Sequence, residues 1–166
     1  MFDDLLAANR RYAAEFSLKD LPVPAARGFG LITCMDTRID PLAILGLRVG
    51  DAKILRNAGG RVTPDVLRSM TLATSLLEVT HIAVMHHTGC ALAGKTDAEV
   101  FESLPEQQRE HLFGVDFLAM PDPDTALEED VRILRSWSGM PASIAVEGWR
   151  YDVHTGRVAR LIDKSH

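Results

Sequence analysis

The sequence is poor in cysteine and lacks an uninterrupted apolar segment near Met1. Its 166 residues include two cysteines, and its first sixteen residues mix acidic and basic side chains with apolar ones. This pattern argues against a secreted disulfide framework and against a signal peptide. We therefore expect a cytoplasmic protein that uses its thiols for metal binding or chemistry, with buried inert thiols as the alternative.

Positive charge and long hydrophobic runs are also scarce. The net charge is −5 and the chain contains no run of about 18 apolar residues. A nucleic-acid partner is unexpected because such partners select clustered Lys and Arg, and a membrane-spanning helix is unexpected too. A small neutral or anionic substrate stays open.

The length and the hydrophobic pattern predict one α/β domain over residues 1–166. Strand-like and helical segments alternate, which is typical of a mostly parallel β-sheet flanked by helices, with functional sites at the carboxyl ends of its strands. An N-terminal helical arm is predicted over about 2–16. Further helices are predicted over 40–45, 63–77 and 124–137, and strands over 28–33, 52–56, 81–85 and 142–146, with two short strands around residues 154–156.

Three potential metal ligands follow two of the predicted strands. Cys34 ends the first strand, and His87 and Cys90 lie three residues apart after another strand. Zinc takes thiolate sulfur and imidazole nitrogen, and three protein ligands leave one coordination position for water or substrate. Because isolated His-x-x-Cys patterns are common, packed or hydrogen-bonded side chains are the competing interpretation.

The residues next to Cys34 favour a catalytic site. Asp36 and Arg38 alternate in an extended segment, so that both side chains can face the same way. An Asp–Arg pair of this kind would fix both orientation and charge beside the metal.

These motifs resemble those of the β-class carbonic anhydrases, in particular short actinobacterial-type forms. The matching elements are Cys34-Met-Asp36-Thr-Arg38, Arg56-Asn-Ala-Gly-Gly60 and His87-Thr-Gly-Cys90. The resemblance implies that Cys34, His87 and Cys90 bind one Zn²⁺ per chain and that Asp36 and Arg38 form the catalytic dyad. Ala91 departs from the pattern, since many members have glycine there.

The resemblance also implies a mechanism. Zinc-bound hydroxide would hydrate carbon dioxide reversibly to bicarbonate and a proton, with Asp36 orienting the nucleophile and Arg38 holding Asp36 away from the metal. If Arg38 released it, Asp36 would become a conditional fourth zinc ligand in a closed, inactive state, and raising the pH would favour the open state. Carbonyl sulfide and carbon disulfide are alternative substrates for the same zinc site.

Partners and supporting residues follow from the same resemblance. The family's dimers imply a homodimer or homotetramer in which the N-terminal helix packs on a neighbouring subunit, although packing within its own chain is the simpler interpretation of its apolar face. The backbone N–H of Gly59 is predicted to contact a substrate oxygen, with a tight turn as the alternative. His86 is expected in a supporting or packing role. The remaining histidines, His81, His111, His154 and His166, are expected on the surface or in packing.

Two other functions compete with this one. Residues Gly89–Thr96 satisfy the phosphate-binding pattern G-x-x-x-x-G-K-[ST], which would make the chain a nucleotide hydrolase. The 70 residues that follow Thr96 are too few for the usual remaining strands, so Lys95 is interpreted as a solvated residue at a helix start. A non-catalytic zinc protein is the third possibility, and it conflicts with the Asp36–Arg38 pair because structural zinc sites normally have four protein ligands.

Overall fold

A five-stranded β-sheet forms the centre of the computed structural model, which describes residues 1–164. The strands follow the order β2-β1-β3-β4-β5, and all neighbours are parallel except the pair β4 and β5. The predicted mostly parallel sheet is therefore confirmed. The strands are β1 (Phe29–Cys34), β2 (Ala52–Asn57), β3 (His81–His87), β4 (Ala145–Tyr151) and β5 (Val158–Ile162).

Within residues 1–164, six α-helices and one 3₁₀ turn connect or flank these strands. Three of the helices begin with proline at the first helical position, where its missing N–H costs no hydrogen bond. Side chains of Asp40, Thr63 and Asp122 cap these three helices by accepting backbone N–H groups. The helices are α1 (Phe2–Ala14), α2 (Pro41–Leu45), α3 (Pro64–Leu76), α4 (Asp97–Glu102), α5 (Glu106–Arg109) and α6 (Pro123–Ser136), and the 3₁₀ turn spans Ala58–Gly60.

Side chains of β1 and β3 are buried on both faces of the sheet, as expected for the centre of a parallel sheet. Ile32 and Val84 pack in one core with residues of α3 and α6. Leu31 and Met85 pack in a second core, which also contains Cys34 and Cys90. The ligand candidates therefore lie at the edge of a solid apolar core.

The carboxyl-terminal strands differ from the prediction. The strand expected over 142–146 is β4 at Ala145–Tyr151, because a turn closes from the N–H of Ile144 to the carbonyl of Pro141 and pairing with β3 starts only at Ala145. Of the two short strands expected around residues 154–156, the first is the end of β4 and the second is β5. The polar residues Glu147 and Arg150 concealed this continuation of β4 in the sequence pattern.

The segment between β3 and α6 contains two short helices, α4 and α5, where the sequence indicated only a helix start near Lys95. Thr96 and Glu99 form a reciprocal capping box that starts α4 at Asp97. Within residues 1–164, no helix is both long enough and apolar enough to cross a membrane.

Candidate metal centre

Cys34, His87 and Cys90 meet at the carboxyl edge of the sheet. Because β1 and β3 are parallel neighbours, their last residues, Cys34 and His87, lie at the same edge of the sheet, and the turn after β3 brings Cys90 to them. One candidate ligand atom from each residue lies within 4.8 Å of the others, and all three residues are buried. The structure therefore brings together all three residues that the sequence singled out.

The ring of His87 is oriented for metal binding. Its Nδ1 lies 2.9 Å from the carbonyl oxygen of Thr88, so Nδ1 carries the proton and donates it. Nε2 then presents a lone pair, and this atom is buried without a hydrogen-bond partner among residues 1–164. A buried unpaired nitrogen is costly unless a ligand satisfies it, and metal-binding histidines typically donate their other N–H to such a carbonyl.

The proximity of the two thiols favours the thiolate form of Cys34. The neighbouring thiol of Cys90 is the main cause that lowers the pKa of Cys34 to about 4. Burial opposes this effect, and the nearby His87 ring and the backbone of Asp36 and Gly59 add to it. The same contact and burial raise the pKa of Cys90. Two sulfurs and one imidazole nitrogen match zinc, which binds deprotonated thiols and neutral imidazole in three-ligand catalytic sites.

Asp36 lies beside this cluster in a bidentate pair with Arg38. Arg38 Nε and Nη2 donate to the two carboxylate oxygens at 2.9 and 2.6 Å, and Nη2 also donates to the carbonyl of Gly89 at 2.9 Å. This pair holds the pKa of Asp36 well below its ordinary value. Asp36 Oδ2 is 3.9 Å from His87 Nε2, so the carboxylate reaches the edge of the ligand cluster.

A close backbone approach explains the glycine pair that precedes Arg61. Gly60 has a φ of 71°, and a Cβ atom there would lie 2.9 Å from the backbone N of Cys34 and the backbone C of Thr33. A side chain at position 60 would thus collide with the residue that carries the first ligand. The sequence pointed to Gly59, whose backbone helps to lower the pKa of Cys34. Its contact with a substrate oxygen stays a prediction.

Arg56 is a supporting residue to which the sequence assigned no role. Its Nε donates to the carbonyl of Cys34 at 3.0 Å, and its Nη2 donates to the carbonyl of Asp36 at 2.6 Å. The guanidinium thereby holds the backbone on both sides of Met35. In the sequence, Arg56 stood out only as part of the Arg56–Gly60 motif. The local residue pattern cannot show that its side chain contacts carbonyl groups of a distant segment.

A second supporting group lies on the opposite face of the sheet. His86 is buried and its Nε2 donates to Asp130, which also pairs with Arg61. The sequence placed His86 in a supporting or packing role but missed both partners. Of the other histidines, His81, His111 and His154 are exposed, while His166 lies outside the described residues.

The rival phosphate-binding pattern does not form a phosphate cradle. The N–H of Gly94 donates to the carbonyl of Met120 at 2.7 Å, and the N–H of Ala93 donates to the carbonyl of Cys90 at 3.1 Å. The hydroxyl of Thr96 caps α4, a helix of only six residues. The groups that would bind phosphate and magnesium are therefore engaged within the protein.

The fold is a mostly parallel α/β domain whose strand ends bring together a Cys-His-Cys group that could hold a metal ion. Comparison with known proteins gives the same class. The family model described as carbonic anhydrase matches residues 29–112. "Beta-carbonic anhydrase 1" of Mycobacterium tuberculosis is 33% identical over 160 residues, covering 94% of each chain. The crystal structure of carbonic anhydrase from Streptococcus mutans is 38% identical with a TM-score of 0.87, covering 96% of each chain.

A further relative carries a different substrate in its name. "Carbon disulfide hydrolase" of Acidianus sp. is 31% identical over 184 residues and covers 96% of this chain and 90% of its own length. The chain belongs to the β-carbonic anhydrase family, whose members are zinc lyases. The predicted family, enzyme class and zinc cofactor are therefore confirmed.

Proposed function

We propose that Cys34, His87 and Cys90 are the zinc ligands of this chain and that it hydrates carbon dioxide reversibly to bicarbonate and a proton. The observation that carries the proposal is the convergence of two thiols and an unpaired imidazole nitrogen within 4.8 Å, directly beside an Asp–Arg pair. Three protein ligands leave a coordination position open, as catalytic zinc sites require.

Bound zinc would supply a Lewis acid that makes a water nucleophilic near neutral pH. Asp36 would accept a hydrogen bond from the attacking oxygen and thereby aim its lone pair at the carbon of carbon dioxide. Arg38 keeps Asp36 ionised and turned toward the guanidinium, because both carboxylate oxygens accept its hydrogen bonds. This arrangement favours the open state, and Asp36 as a fourth ligand stays a prediction for conditions that break the pair.

Carbon disulfide hydrolysis is the second candidate. It is favoured by the Acidianus relative, which matches along nearly the whole chain. Both reactions need the same activated nucleophile and a linear substrate, so the ligand geometry is compatible with either. The two reactions differ in the substrate that the residues around the site must accommodate. Assays of both substrates under the same conditions therefore distinguish them.

The test is metal analysis combined with hydration assays on carbon dioxide, carbonyl sulfide and carbon disulfide across pH. We expect one zinc per chain and fastest turnover of carbon dioxide. Asp36→Ala should keep its zinc and lose turnover by about 100-fold or more, the scale of removing one preorganised hydrogen-bonding group. Zinc without turnover of any substrate at any pH would show a non-catalytic protein instead.

Asp40→Ala is a matched control for that variant. Asp40 lies on the same segment and accepts an N–H of α2, without contact to the ligand cluster. Its removal should cost helix stability and leave turnover per folded molecule unchanged. Equal losses in the two variants would remove Asp36 from the mechanism.

We further propose that the chain assembles as a homodimer or homotetramer through α1. This helix has no buried residue, and its large apolar side chains are 47–76% exposed when Phe16 just beyond its end is included. A cleft of about 370 Å³ on the sheet has an apolar floor that includes Phe29 and Trp149, with Arg27 and Arg160 among its lining residues. Arg160 is already paired with Glu147 at 3.0 Å, so Asp3 and Asp4 in the first turn of α1 complement Arg27. A cytoplasmic location stays a prediction, supported by the two free thiols.

A further inference from the structure

A buried ionic cluster lies behind the metal centre, on the face of the sheet that α6 covers. Asp130 of α6 is 1% exposed, and its Oδ2 accepts hydrogen bonds from Arg61 Nε at 2.7 Å and His86 Nε2 at 3.0 Å. Its Oδ1 accepts the backbone N–H of Val62 at 3.0 Å. We call Asp130, Arg61 and His86 the rear cluster. None of the three takes part in the chemistry proposed above.

The first connection from the rear cluster runs to His87. His86 and His87 are consecutive residues of β3, so their side chains point to opposite faces of the sheet. Asp130 holds His86 on one face, and this contact limits how β3 can rotate about its own axis. The position of the His87 ring on the other face is limited with it.

The second connection runs to Cys34. Arg61 directly follows Gly60, whose backbone packs against the backbone N of Cys34. Asp130 binds the Arg61 side chain and the N–H of Val62, so both residues after the glycine pair are tied to α6. The close approach of Gly60 to the first ligand is therefore held from behind.

The third connection runs to the segment after Cys90. Arg61 Nη1 donates to the carbonyl of Leu118 at 2.7 Å. Met120, two residues after Leu118, is hydrogen-bonded to the segment that follows Cys90. Its N–H donates to the carbonyl of Leu92, and its carbonyl accepts the N–H of Gly94. One guanidinium thus links Asp130 to the strip of backbone that fixes the turn carrying Cys90.

We infer that Asp130 and Arg61 are positioning residues of the metal centre, holding all three ligand-bearing segments in register from the opposite face of the sheet. The inference rests on the proposed ligand set. A buried ion pair is weak evidence for stability as such, because desolvation offsets its attraction. A role in setting the geometry of the ligands accounts for a charged cluster at a place where apolar residues would pack equally well.

The test compares the zinc affinity of the wild-type protein with that of the Asp130→Asn variant. This substitution preserves the shape of the side chain and removes its charge. We expect the dissociation constant for zinc to rise about 10-fold, the lower end of the effect of residues that orient metal ligands. Protein loaded with Co²⁺ should show a changed sulfur-to-cobalt absorption band, because that band reports the thiolate geometry. Arg61→Lys keeps the ion pair but cannot also reach Leu118, and it should change the cobalt spectrum in the same direction.

Leu134→Ala is the matched control. Leu134 lies on the same helix, is 1% exposed and packs only in the apolar core. It should lower the melting temperature without altering zinc affinity or the cobalt spectrum. Asp130→Asn with the zinc affinity and spectrum of Leu134→Ala would overturn the inference. Should Asp130→Asn not fold, an Arg61→Lys protein with an unaltered cobalt spectrum would overturn it equally.

The same measurements separate this inference from the proposed function. If the wild-type protein binds no zinc, or if the His87→Ala variant keeps its zinc, the ligand set itself is contradicted. A wild-type protein that binds zinc through His87 while Asp130→Asn binds it equally well contradicts only the positioning role.

Discussion

The carboxyl edge of the sheet and the N-terminal helix α1 differ in how well the rest of the chain buries their side chains. At the sheet edge, Cys34, His87 and Cys90 are buried, and hydrogen bonds within the chain hold the backbone of Cys34 and the ring of His87. Helix α1 has no buried residue and exposes its apolar stripe. The three candidate ligands therefore converge within one chain, whereas α1 needs a second surface to bury its apolar side chains.

This contrast predicts that changes at the sheet edge act on metal binding and changes in α1 act on assembly. The variants below either separate these two effects or show that they are linked.

The largest expected effect is at His87. His87→Ala should weaken zinc binding by more than about 100-fold, because removal of a ligand exceeds the effect of removing a residue that only orients one. His81→Ala at the other, exposed end of β3 is the matched control and should bind zinc normally. Competition with a chelator measures both, and equal affinities would remove His87 from the ligand set.

Gly60→Ala should lower the free energy of unfolding by about 2 kcal/mol or more, because a positive φ is strained for alanine and its Cβ would meet the backbone of Cys34. Gly156→Ala is the control, since Gly156 has nearly the same φ and a Cβ at that position would have open space around it. It should lose only about 1 kcal/mol. Urea unfolding at one fixed protein concentration measures the difference, and equal losses would show that the close approach is unimportant.

Leu6→Glu in α1 should weaken subunit association by about 10-fold, equivalent to roughly 1.4 kcal/mol, because it places a charge in the apolar stripe. Ala14→Glu introduces the same charge on the side of α1 that faces away from the stripe and should leave association intact. Analytical ultracentrifugation measures the association, and zinc content should be normal in both variants. Loss of zinc in Leu6→Glu alone would show that the metal centre depends on assembly.

The smallest effect concerns Asp97, near the turn that follows Cys90. Burial acts to raise the pKa of Asp97, but the N–H groups of Ala119 and Phe117 donate to its carboxylate and lower the pKa on balance. A lowered folded-state pKa contributes stability above the unfolded value of about 3.9, and this contribution is lost as the pH falls through the lowered value.

Asp97→Asn should therefore cost at most about 1 kcal/mol at neutral pH, and this cost should shrink as the pH falls below the unfolded value of about 3.9. The measurement is the difference in unfolding free energy between the two proteins from pH 7 to pH 3. A difference that stays constant over this range would contradict a charged role for Asp97.

Much of the fold and the ligand candidates could be predicted from the sequence because they depend on short-range patterns. Alternating strand and helix signals predict a parallel sheet, and a parallel sheet places Cys34 and His87 at one edge. The boundaries of β4 were wrong because Ala145 pairs with β3 across a long stretch of chain. The link from Asp130 to Arg61 and His86 was missed for the same reason, since no local pattern reports a contact between such distant residues.

By itself, the sequence determined the chemical types of the ligands, the Asp36–Arg38 dyad beside them and the class of sheet that could bring them together. These features are local, because residue chemistry and hydrophobic periodicity act over a few positions of the chain. Tertiary structure decided that Gly60 meets the backbone of Cys34, and that Asp130 holds the ligand segments from the opposite face of the sheet. Both depend on the order and packing of strands and helices, which arise only when distant segments are folded against one another.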